Sequence, residues 1–98
     1  MKNKLQDPLL EQFFAAILSL QNIEECYDFF EDVSTIGELK DLSQRYQVAK
    51  MLSQGYIYEE IAKQTGASTA TISRVKRCLT HGADGYRLVL KRQFPEIN

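Results

Sequence analysis

The chain has no tryptophan, one histidine, two cysteines and two prolines among its 98 residues, and each shortage removes a class of answer. Pro8 and Pro95 both lie near the termini, so no proline breaks a helix in between. Cys26 and Cys78 stand half a chain apart and share no metal-ligand spacing, which argues against a disulfide scaffold or a zinc site. Both read as small apolar residues on helix faces. The longest apolar run, FFAAIL from Phe13 to Leu18, is far too short to cross a bilayer. The opening MKNKLQDPLLEQ meets Asp7, Pro8 and Glu11 before that run, so no signal peptide is expected. His81 has no nucleophile spaced for catalysis, and no phosphate-binding glycine loop or pair of carboxylates in an apolar setting appears. Glu24, Glu25, Glu31 and Asp32 read as solvated faces. The expectation is a non-enzymatic cytoplasmic protein with reduced thiols, no metal, no cofactor and no membrane partner.

What is present is helical. Period-two alternation is missing, apolar spacing of three and four recurs, and a chain of this length makes one small domain, so the fold class is all-α. The net charge of −1 conceals an asymmetry. Up to Ala49 four cations face nine carboxylates, a balance of −5, whereas from Lys50 onward eight cations face four carboxylates, a balance of +4. The second half is the one that would attract phosphate.

Four segments follow in order. Residues 1–33 hold two helices, the first entered through Asp7 and Pro8 and the second through Asn22, with Glu25 placed for a reciprocal capping bond. Their stripes, Leu9, Leu10, Phe13, Phe14, Ile17 and Leu18, then Ile23, Cys26, Tyr27, Phe29, Phe30 and Val33, carry more apolar surface than a lone small domain can cover. They are therefore assigned to dimerisation. Residues 34–55 form a central helix behind a Thr35 and Glu38 capping box, with Leu39, Leu42, Tyr46, Ala49 and Leu52 inward and a stop at Gly55. Residues 56–79 form the organising motif. Residues 80–98 give a loop with a solvated His81, then a last helix capped by Asp84 that buries Leu88, Val89 and Phe94.

The motif, YEEIAKQTGASTATISRVKRCL, reads as a helix-turn-helix. Ala62 is small enough for a second helix to cross closely, Gly66 ends the first helix, and Ser68 caps the second. Ile72, Val75 and Leu79 pin that second helix to the core. The remaining face, with Thr69, Ala70, Thr71, Ser73, Arg74 and Arg77, suits a DNA groove: short side chains and hydroxyls approach base edges while cations such as Lys76 and Arg77 meet phosphates.

The segment from Thr35 to about Leu79 resembles the tryptophan repressor family. The matching residues are Thr35, Glu38, Leu42 and Arg45, then MLSQG ending at Gly55, then GASTATISR from Gly66 to Arg74. The resemblance implies an intertwined all-helical homodimer that binds a palindromic operator in double-stranded DNA as a repressor. It implies base-edge and phosphate roles for Lys63, Ser68, Thr69, Ala70, Thr71 and Ser73. It also implies a small effector between the central and reading helices, met by the Thr35 carbonyl and flanked by Arg45 and Arg74.

Four departures bear on that picture. Val75 stands where the family has glycine, Cys78 where it has a serine that holds the ligand's amino group, and Glu59 where a cation contacts DNA. The turn after Gly55 is one residue shorter. These changes point away from tryptophan as effector and leave Arg45 and Arg74 to pair with acidic side chains, or Arg74 to serve DNA. The reading is a homodimeric, sequence-specific DNA-binding regulator of repressor type that tryptophan does not control. The alternative is an adaptor that uses the helical dimer as a scaffold for a protein partner.

Overall fold

The computed structural model describes residues 6–97, so Lys2 and Lys4, which count towards the charge of the first half, lie outside it. The described residues form α1 (Pro8–Leu18), α2 (Ile23–Val33), α3 (Ile36–Ser53), α4 (Tyr58–Thr65), α5 (Thr69–His81) and α6 (Gly85–Gln93), with no strand among them. They divide into two compact units at the first turn of α3, one ending at Ile36 and the other beginning at Gly37.

In the first unit local chemistry sets the helix limits. The Asp7 carboxylate accepts the Leu9 amide at 2.7 Å, and Pro8 opens α1. Asn22 accepts the Glu25 amide at 2.9 Å to start α2. The return bond from the Glu25 carboxylate reaches one residue further back than a capping box would take it, to the Gln21 amide at 2.9 Å. Phe13 meets Phe29 at 5.9 Å between ring centroids, and Phe29 meets Phe30 edge-on at 5.4 Å. No residue of α1 or α2 is buried, and Leu18 at 84% and Ile23 at 74% remain open to solvent.

The second unit has a core built from Val48, Ala49 and Met51 of α3, Ile61 of α4, Ala67 of the turn, Ile72, Val75 and Leu79 of α5, and Leu90 of α6. Two expectations about facing are corrected here. On α3, Val48 and Met51 join Ala49 inside, while Leu42 is exposed and Leu39, Tyr46 and Leu52 are half-buried. On α6, Leu88 and Val89 face outward and Leu90 takes the core position, with Phe94 half-buried behind it. Apolar residues occur on more than one side of each helix, and what they pack against selects the side.

Side chains from α3 hold α6. The Tyr46 phenol donates to the Gln93 side-chain oxygen, and Lys50 Nζ lies 4.1 Å from the centre of the Phe94 ring. Asp84 precedes α6 in a left-handed conformation, φ 66°, and its side chain makes no cap bond, contrary to the role expected of it. His81 is the last residue of α5 and is exposed, rather than part of the loop. At Gly82, a Cβ would stand 2.3 Å from the Cys78 carbonyl oxygen, so a side chain there would force the end of α5 to move.

These burial differences give a direct test. Ile72→Ala removes a fully buried side chain and should cost about 2–5 kcal/mol, whereas Leu42→Ala and Leu88→Ala should stay within about 0.5 kcal/mol of wild type in urea unfolding. Equal losses at Ile72 and Leu88 would contradict this core.

Candidate nucleic-acid interface

The turn between α4 and α5 is three residues long, 66–68, and each has a separate task. Gly66 adopts a left-handed conformation, φ 75°, and its amide donates to the Ala62 carbonyl at 2.9 Å, closing α4. Ala67 is buried, so the chain re-enters the core at once. Ser68 then accepts the Thr71 amide at 3.1 Å and donates its hydroxyl to Thr71 Oγ1 at 3.1 Å, starting α5. Thr65 braces the same corner: its hydroxyl donates to the Ile61 carbonyl at 2.7 Å and accepts the Ala67 amide at 3.1 Å. Gln44 of α3 donates to the Thr65 carbonyl at 3.0 Å, tying the corner to the central helix.

With Ile72, Val75 and Leu79 buried, the helical repeat fixes the rest of α5. Ala70, Ser73, Arg74 and Arg77 lie opposite the core and are all exposed. Thr69, Lys76 and Thr80 form one flank, where Lys76 Nζ lies 5.8 Å from the centre of the Tyr58 ring. Thr71 and Cys78 form the other flank. Lys63 is exposed on α4. The structure therefore sorts the candidate residues into groups. Ala70, Ser73 and Arg77 share the outer face with Arg74, Lys76 lies on one flank of it, Lys63 is exposed on α4, and the hydroxyls of Ser68 and Thr71 are engaged with one another at the helix start.

The three residues assigned to an effector are divided between the two units. Thr35 belongs to the first unit, whereas Arg45 and Arg74 belong to the second. Both arginines lie within electrostatic reach of the Tyr86 phenol, a residue not among the candidates named from the sequence. Tyr86 packs against the core. Val75, the branched residue in place of glycine, is 2% exposed and belongs to that core. Cys78 is an exposed free thiol on a flank of α5, and with Tyr46, Tyr86 and Val89 it lines a cavity of about 550 Å³. Tyr86 could have been found only through the third dimension, because it enters from α6, twelve positions beyond Arg74.

Burial raises the Tyr86 phenol above its ordinary range, and nearby Cys78 acts the same way, while Arg45 and Arg74 pull in the opposite direction without cancelling the rise. Burial likewise raises Tyr46. Among the described residues no cluster of histidine, cysteine or carboxylate side chains could hold a metal, and no helix is long and apolar enough to cross a membrane.

A family model described as Trp repressor protein matches residues 9–94. The uncharacterized protein YerC of Bacillus subtilis (strain 168) is 54% identical over 90 residues, covering 92% of this chain and 86% of that protein. Among solved structures, a candidate Trp repressor from Staphylococcus aureus aligns with a TM-score of 0.89 at 54% identity, covering 97% of this chain and 93% of that one. A TrpR-like protein from Eubacterium eligens ATCC 27750 aligns with a TM-score of 0.89 at 58% identity, covering 94% and 95% of the two chains.

The tyrosines give the site a pH signature. A phenol raised by folding contributes stability that is complete below the unfolded value near 10 and is lost as pH rises through the folded value. The urea midpoint should therefore fall as the solution is taken through the phenol range, and Tyr86→Phe should flatten that fall. An unchanged slope in the variant would mean that Tyr86 is not held as described.

Proposed function

The chain belongs to the Trp repressor family, and from that premise we propose that it is a homodimeric, sequence-specific DNA-binding regulator of repressor type, acting in the cytoplasm without tryptophan as effector. The observation that carries the reading is the outer face of α5. A helix anchored by Ile72, Val75 and Leu79 presents Ala70 and Ser73 beside Arg74 and Arg77, with no carboxylate on that helix. Small side chains let the helix approach base edges closely, and the arginines reach phosphate or guanine. Lys76 adds a cation beside that face, and Lys63 is a further exposed cation on α4. Thr69, at the start of α5 on the Lys76 flank, would add a base or phosphate contact.

Dimerisation is supported by the first unit. Leu9, Leu18, Ile23, Tyr27 and Ile36 are each more than two-thirds exposed, and apolar surface left in water costs about 25 cal/mol per Å². A second copy would cover it and would supply the paired reading heads that a short helix needs on two half-sites. Independence from tryptophan is supported by Val75, which fills core space, and by Tyr86, which already stands near both arginines proposed to flank a ligand.

Selection on genomic fragments at low salt, followed by anisotropy titration, tests the DNA reading. Arg77→Gln should weaken binding to every sequence and make the salt dependence shallower by about 0.9 for the lost phosphate contact. Thr69→Ala with Ser73→Ala should instead narrow the preference for selected over random fragments by about 1 kcal/mol or more. Added tryptophan should change neither. Absence of retardation on any fragment would favour the adaptor reading.

The dimer is tested by sedimentation. Wild type should run as two chains of 11.3 kDa, and Leu18→Asp with Ile23→Asp should shift it towards one while the helical spectrum persists. A wild-type protein that sediments as a single chain at micromolar concentration would end the dimer proposal.

A further inference from the structure

On the Lys76 flank of α5, away from the outer reading face, the second unit has a groove of about 1020 Å³. Its volume lies just above the range typical of small-molecule sites, about 300–1,000 Å³. Two chemistries meet in it. Leu52, Ile57, Leu79 and Leu90 supply hydrocarbon, with the rings of Tyr56 and Tyr58 beside them. Lys76 enters from α5, and Arg87 and Lys91 enter from α6, while no carboxylate lines the groove.

That combination is not an accident of one surface side chain. Arg87 and Lys91 are four residues apart, so the helical repeat puts them on one face of α6. Lys76 is restrained by the Tyr58 ring, 5.8 Å from its centre. Three cations with no carboxylate among the lining residues give the groove positive potential, and the low-dielectric floor beside them strengthens its pull on an anion. A free phosphate would use the cations and leave the hydrocarbon wet. A neutral apolar ligand would cover the hydrocarbon and leave the charges uncompensated.

We propose that this groove binds a soluble long-chain carboxylate, with its head among Lys76, Arg87 and Lys91 and its chain laid along Ile57, Leu79 and Leu90. The site is separate from Arg45 and Arg74 and does not rest on the DNA reading. Its occupation is measured without nucleic acid.

Calorimetric titration of the full chain with dodecanoate below its micelle concentration tests the site. Saturable binding of one dodecanoate per chain is expected, tighter than hexanoate by at least about tenfold because the longer chain covers more of the apolar floor. Dodecylamine, with the opposite head charge, should bind at least about tenfold more weakly than dodecanoate. Arg87→Gln with Lys91→Gln should weaken dodecanoate by about tenfold, and Ile57→Ser, at an exposed position, should also weaken it, with helical content and sedimentation unchanged in both. Equal binding of dodecylamine, insensitivity to Arg87→Gln with Lys91→Gln, or no saturation would each overturn the proposal. So would a shift of Arg87→Gln with Lys91→Gln towards a single-chain species, which would assign the groove to a second copy. Adsorption to phosphatidylglycerol vesicles with no saturable uptake of free dodecanoate would assign it to a lipid surface and would likewise overturn it.

Discussion

Ile61 and Ile72 are both fully buried, and the three-residue turn between their helices brings Ala67 into the same core. The second unit depends on that close crossing. A turn this short cannot accommodate error: the left-handed Gly66 reverses the chain, and Ser68 must begin the next helix two residues later. The bonds among Thr65, Ala67 and Ile61, with Gln44 above them, convert a flexible joint into a fixed corner. A reading helix needs this because base edges are distinguished by contacts of hydrogen-bond length, and a loose corner would blur them.

Once α5 is fixed by one apolar edge, its other three sides acquire different surroundings. The outer side is short and cationic, and suits a duplex. The side with Lys76 opens onto the basic, apolar-floored groove shared with α6. The side with Cys78 borders the smaller cavity beside Tyr46 and Tyr86. A single helix of 13 residues thus sorts its neighbours by angle alone. Tyr86 of α6 lies within electrostatic reach of Arg45 and Arg74, and Val75 belongs to the core.

The first unit obeys the same local rules with a different outcome. Asp7, Pro8 and Asn22 define its helices as sharply as Gly66 and Ser68 define α4 and α5, yet nothing in α1 or α2 is buried. Caps specify where a helix starts; they do not supply a surface to pack against. The carboxylates on α2 and the cations of α6 give these two helices opposite character.

The amino-acid sequence by itself determined the starts of α1, α2 and α5, the left-handed glycine, the buried edge Ile72, Val75 and Leu79, and the family resemblance, because each depends on residues within a few positions of one another. The cap at Asp84 failed for the same local reason: its backbone is left-handed, a conformation in which its carboxylate makes no cap bond. Tertiary structure alone decided which side of α3 and α6 goes inward. Val48 and Met51 displaced Leu42, and Leu90 displaced Leu88 and Val89, since apolar residues surround those helices and only packing chooses among them. It also decided that Tyr86 of α6 comes within electrostatic reach of Arg45 of α3 and Arg74 of α5, a proximity that no spacing along the chain encodes.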